Sequence, residues 1–133
     1  MEKPKEYADL YVRFFIYFNI DRAYYECHEV MEELWLEEGR DPFYQGLLQV
    51  AVGLFHFRRE NISGARKLFA SALSKLKPYP DRYMGIDLGR LRKEVEEYLE
   101  RLENYEQKPF PFYDLNISII DEDLRNRMKK GGA

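Results

Sequence analysis

Three residues, Gly39-Arg40-Asp41, separate two long helix-forming runs, and no other feature limits the fold of this 133-residue chain so tightly. A junction that short turns the chain straight back, so the flanking segments must pair as antiparallel helices. Asp21 is placed to cap the first, Arg22 to Glu38, and Gly39 to stop it. Asp41 caps the second, with Pro42 at its first position, and that helix runs to about Arg59. The remaining punctuation is of the same kind. A first helix is predicted from Pro4 to Phe18, apolar on nearly every side and therefore central or covered by a partner. Asn61 ends the third helix, a fourth runs from Ser63 to Lys77 before Pro78-Tyr79-Pro80, and a fifth begins near Asp87. That last helix carries Leu88, Leu91, Val95, Tyr98, Leu99 and Leu102 along one side.

Nothing alternates cleanly enough to argue for a sheet, so the predicted class is all-α. The architecture expected is a five-helix bundle of antiparallel helix hairpins over residues 1–107. Residues 108–133 follow as an extended C-terminal arm and a polar, partly disordered tail. The arm, Lys108 through Tyr113, alternates Pro with Phe and reads as a segment laid over an apolar groove. Residues 121–133 read as frayed. Gly53, Ala65, Phe69 and Ala72 echo one tetratricopeptide unit, but no second copy follows at a period of about 34, so close packing of a single helix pair is the reading.

Composition narrows the chemistry. Two His, one Cys and three Gln leave no disulfide framework, no Cys-rich zinc site and little for a Ser/His/Asp hydrolase. A formal charge of −3 argues against a general nucleic-acid binder. No run approaches the ~18–20 apolar residues of a membrane span, and Arg13 interrupts the apolar N-terminal stretch. The chain is therefore expected in the cytoplasm, with Cys27 a reduced structural thiol. Abundant Glu, Lys and Arg make the composition thermophile-like. The charge is unevenly placed: Asp21 to Asp41 holds eight acids against two bases, whereas Phe57 to Lys77 holds six bases against one acid. Two solvated helix faces that attract each other account for this; the functional alternative is an anion patch at Arg58, Arg59 and Asn61, where the fourth helix starts.

Helical wheels locate the scarce polar side chains. On the second helix Glu26, Glu29, Glu33 and Glu37 share a solvent arc, while Cys27, Val30, Met31, Leu34 and Trp35 face the core. His28 and Glu32 lie beside that core arc, flanked by Trp35 and Tyr25, so Glu32 is the acid expected to be buried. On the third helix Gln45, Gln49 and His56 share one narrow stripe of an otherwise apolar cylinder. A helix so apolar is expected to be surrounded, which would bury those three and make His28 and Glu32 their partners.

Three readings of this seam stay open. It is a structural hydrogen-bond network; or His28, Glu32 and His56 ligate a divalent metal such as Zn²⁺ or Fe²⁺, supported by Gln45 and Gln49, and activate a water for hydrolysis; or Glu32 orients His28 as a catalytic general base. His28-Glu29-Val30-Met31-Glu32 is not an H-E-x-x-H metalloprotease string, because Glu32 replaces the second histidine. Set against a metal-binding or hydrolytic pocket is a non-enzymatic interaction module, forming a homodimer through the apolar first helix.

His28, Glu32 and Trp35 spell H-x-x-x-E-x-x-W. With Phe43-Tyr44-Gln45-Gly46-Leu47-Leu48-Gln49, Val52-Gly53-Leu54-Phe55-His56, Arg59, Asn61, Gly64 and Ala65, the chain resembles domain of unknown function 309, a bacterial and archaeal family, over roughly residues 7 to 104. The resemblance implies a small all-helical bundle and a catalytic His/Glu motif without naming a reaction. Glu60 stands where similar sequences tend to have Gly, which stiffens that turn.

Overall fold

A computed structural model describes residues 6–131. Among the described residues the chain is mostly helical: α1 (Asp9–Ile16), α2 (Tyr24–Glu37), α3 (Pro42–Arg58), α4 (Ile62–Leu76), α5 (Leu88–Glu103) and α6 (Glu122–Lys129), with two short strands, β1 (Arg82–Tyr83) and β2 (Ile86–Asp87). The α2–α3 junction folds as its length demands. Gly39 (φ 68°) and Arg40 (φ 63°) both take left-handed backbone, and Asp41 then caps α3 by accepting from Phe43 N at 3.0 Å. None of the described helices is long and apolar enough to cross a membrane.

The boundaries depart from expectation where the backbone is irregular. The start expected at Pro4 lies outside the described residues, and Glu6 to Ala8 are not helical. After α1 the chain widens into a π-helical turn, Tyr17–Asp21, and Arg22 turns left-handed (φ 55°), so Asp21 does not cap α2. Ala23 occupies that cap position with no side-chain bond. The two-residue hairpin β1–β2, with Met84 and Gly85 at its tip, is too short for alternation to have revealed it. Asp87 leaves it and caps α5 through Arg90 N.

The tail corrects a second expectation. Residues 122–129 form α6 instead of fraying, because Asp121 caps the segment and Leu124 supplies a fully buried anchor. Between α5 and α6 the chain crosses the molecule. Phe110 packs on Phe57, Tyr98 and Tyr105, and Tyr113 stacks on Tyr98 at 4.2 Å. Asn19 then pairs with both backbone groups of Ile117, at 2.8 and 2.9 Å. Ile119 bridges Ile86 in β2, and Arg127 of α6 binds Asp9 and the Tyr7 carbonyl. Of the apolar side chains of α1, Tyr11, Val12, Phe14 and Phe15 are fully buried within the chain, with α1 packed against α2 and α6.

α3 and α4 meet more closely than any side chain would allow. A Cβ at Gly53 would lie 2.8 Å from the Phe69 ring, and one at Gly46 would lie 2.6 Å from Leu76. Phe69 is fully buried against Tyr98, at 5.1 Å between centroids, and cannot step aside. Gly53→Val is therefore expected to cost about 1–3 kcal/mol through overpacking. Urea unfolding measures it, and an unchanged midpoint would mean that the helix pair parts freely.

Candidate functional site

α2 and α4 flank α3, and Tyr11 of α1 reaches its first turn through Phe43 and Tyr44. Nothing among the described residues closes the fourth side. Gln45, Leu48, Gln49, Val52, Phe55 and His56 are all half-buried there, one stripe along the outside of α3. The predicted polar stripe exists, but it borders solvent instead of filling a seam. Glu32 is likewise exposed, and no polar or charged residue among those described is fully buried. The physical reason is that an apolar helix need not be encircled: Leu48, Val52 and Phe55 share the outer stripe with the glutamines and simply remain partly open.

At the end of this stripe nearest the α3–α4 turn lies a small apolar cleft of about 150 Å³, lined by Tyr24, Tyr25, His28, Val52, Phe55 and His56. The Tyr25 ring stands 6.1 Å from Phe55 and 6.3 Å from His28. Both histidines of the chain thus line one opening, as their wheel positions suggested. Glu32 joins them indirectly. Its Oε2 lies 3.3 Å from His28 Nε2, one turn along α2, with side chains 40% (His28) and 50% (Glu32) exposed.

Neighbouring bonds set the proton on each imidazole. The Glu32 carboxylate, its Oε2 3.3 Å from His28 Nε2, favours a hydrogen on that nitrogen and so leaves Nδ1 as the ring's lone-pair acceptor. For His56 the argument passes through Asn61. Asn61 caps α4 by accepting from Gly64 N through Oδ1, at 3.0 Å, so its amide nitrogen is the atom turned to His56 Nδ1, at 3.3 Å. An amide N–H2 only donates, so Nδ1 of His56 accepts and Nε2 keeps the hydrogen. One cleft is therefore lined by an imidazole whose Nδ1 is left to accept and an imidazole whose Nε2 is left to donate.

The metal expectation finds no chelating geometry. Among the described residues no three His, Cys, Asp or Glu side chains converge closely enough to hold an ion. Glu32 Oε2 faces His28 Nε2 and the Asn61 amide faces His56 Nδ1, each at 3.3 Å, so these atoms have partners within the protein. Gln45 and Gln49 do not reach the cleft; Gln49 Oε1 and Trp35 Nε1 are buried atoms without a hydrogen-bond partner. Trp35 instead lies beneath the Arg40 guanidinium, at 5.5 Å. Cys27 is buried, its Sγ 3.7 Å from the Phe14 carbonyl, and burial pushes its thiol far above the usual range, which keeps it inert.

Sequence reasoning missed Tyr24, Val52 and Phe55 as cleft residues and misplaced Asn61. The Tyr24 side chain is fully buried, with its hydroxyl bound to Asp114. The stripe 45, 48, 49, 52, 55, 56 has helical spacing and was the available signal for the other two. Asn61 belongs to no free anion patch, because its side chain joins the α4 cap to His56. Arg58 and Arg59 lie over aromatic walls of the cleft: Arg58 over Tyr24 at 4.8 Å, Arg59 over Phe55 at 5.4 Å.

A family model described as a domain of unknown function (DUF309) matches residues 11–68, from α1 through the first half of α4, and so includes every lining residue of the cleft. The uncharacterised protein YpuF of Bacillus subtilis (strain 168) is 34% identical over 123 residues, covering 89% of this chain and 68% of its own length. An uncharacterised protein of Aquifex aeolicus (strain VF5) is 33% identical over 79 residues, covering 57% of this chain and 24% of its own. No solved structure matches the chain. The His28/Glu32/Trp35 motif and these similarities together place the chain in the DUF309 family.

Proposed function

We propose that this protein binds a small molecule in the α2–α3 cleft and moves a proton on it, with His28 accepting and His56 donating. The observation that carries the reading is the placing of both imidazoles on one open apolar cleft with complementary hydrogen-bond roles set by Glu32 and Asn61. Glu32 orients His28 and would stabilise the imidazolium that forms when Nδ1 takes a proton. A mostly apolar wall with a few fixed polar atoms is the usual build of a ligand site. Backbone-amide NMR with one-ring compounds tests this. Hits should shift the signals of Tyr25, His28, Phe55 and His56, and His28→Gln should weaken them severalfold while the spectrum stays folded. Hits confined to other surfaces, or hits indifferent to His28→Gln and His56→Gln, would refute it.

A second reading, an interaction module, is favoured by Tyr25 and Leu36. They leave 53% and 51% of their surface exposed, eleven positions apart and so on one side of α2. Sedimentation of the protein and of Leu36→Ser decides it: self-association lost in the variant supports this reading, and a monomer at high concentration removes it.

A further inference from the structure

The cleft has two chemically different ends. Its floor is aromatic and aliphatic, and about 150 Å³ is the size of cavity that takes one benzene-sized ring. Toward the α3–α4 turn, two guanidiniums lie over its walls. Arg58 is held over Tyr24, 6.0 Å from Phe112, by donating to the Arg22 carbonyl at 2.9 Å. Among the described residues no carboxylate is in ion-pair contact with Arg59, which lies over Phe55, and the bond from Arg58 goes to the neutral Arg22 carbonyl. Toward the other end, Glu32 carries a negative charge beside His28.

We propose, resting on the cleft reading above, that the ligand is a one-ring aromatic oxyanion, such as a carboxylate. Its ring fills the space among Tyr25, Val52 and Phe55, and its anionic group turns toward Arg58 and Arg59. Charge sets the orientation: an oxyanion is attracted at the guanidinium end and repelled at the Glu32 end. Guanidiniums already stacked on the aromatic walls present their N–H edges with little further ordering, which suits them to carboxylate recognition. Glu60, exposed in the same turn, is the acid nearest in sequence, and its left-handed backbone (φ 64°) carries the chain from Arg58 and Arg59 into the α4 cap.

Benzoate and the neutral isostere benzamide, titrated into the full chain and followed by backbone-amide NMR, test the proposal. Benzoate should bind at least about fivefold more tightly than benzamide, with shifts centred on Tyr25, His28, Phe55 and His56. Arg59→Gln should remove most of that preference, Arg59→Lys should keep part of it, and added salt should shrink it. Equal binding of the two compounds in the cleft overturns the oxyanion proposal and leaves the cleft reading standing. Binding of neither, or of benzoate elsewhere only, overturns both. A preference that survives Arg58→Gln and Arg59→Gln together, in protein whose spectrum remains dispersed, also overturns it.

Discussion

A chain that stops at Gln107 is expected to lose its cooperative fold. The five earlier helices alone look like a complete bundle, but the segment beyond them lies inside the protein as well as over it. Truncation removes Phe110, Leu115, Ile117 and Leu124, all buried. Each fully buried side chain of this size stabilises by about 1.5–3 kcal/mol, so the four together are worth on the order of 6–12 kcal/mol. That compares with a net stability of only about 5–15 kcal/mol for a domain. Their loss also uncovers aromatic surface on Phe57, Tyr98 and Tyr24, and leaves Asn19 and Arg22 without their backbone partners at Ile117 and Leu115. Circular dichroism with thermal unfolding measures the result. A broad, weakened transition or insoluble protein is expected; a sharp transition within a few degrees of the full chain would show that residues 108–133 are an appendage.

Alkaline pH should unfold the intact protein before its buried tyrosines ionise one by one. Burial raises the hydroxyls of Tyr11, Tyr24 and Tyr98 well above their ordinary value, and bonds to Asp114 and Asp121 add to the effect at Tyr24 and Tyr7. Tyr44 and Tyr79 are pushed up to about 12 by burial, Tyr79 also by its bond to Asp41. Between about pH 10 and 12 the unfolded chain sheds these protons while the native chain keeps them, so stability falls as pH rises. The contribution is whole below about pH 10 and drains above it, at about 1.4 kcal/mol per pH unit for each fully buried hydroxyl. Tyr11, Tyr24 and Tyr98 alone therefore exhaust a typical domain's stability within about two to three units. Tyrosinate absorbance and helical ellipticity, followed in one titration, should change together in a steep step. Tyrosines that ionise near pH 10 with the helices intact would contradict this.

Local chemistry was legible wherever a single residue decides a backbone state. Asp41 and Pro42 at the start of α3, Gly39 at the turn and Asp87 before α5 all act within one turn of their own positions. The glycine at position 53 likewise marked a close helix pair, because only a missing side chain allows Phe69 so near. Failures fell where the outcome depends on a distant segment. α6 looked too polar to be ordered, yet one buried leucine, an Asp cap and the contacts of Arg127 with Tyr7 and Asp9 hold it. Arg22 ends the π-helical turn left-handed while its guanidinium binds the Leu115 carbonyl and Asn116, over ninety residues away.

The candidate site divides along the same line. Periodicity alone determined that His28, Glu32 and Trp35 lie along one side of α2, that Gln45, Gln49 and His56 share a stripe of α3, and that the short turn sets these helices side by side. It could not determine whether the shared surface is closed, because a helical wheel records direction around an axis and carries no information about how many neighbours arrive. Tertiary structure decided that. It covers α1 with α6 and lays the arm over α5, yet leaves the outer face of α3 open, so the expected buried seam is a surface cleft with Arg58 and Arg59 over its walls.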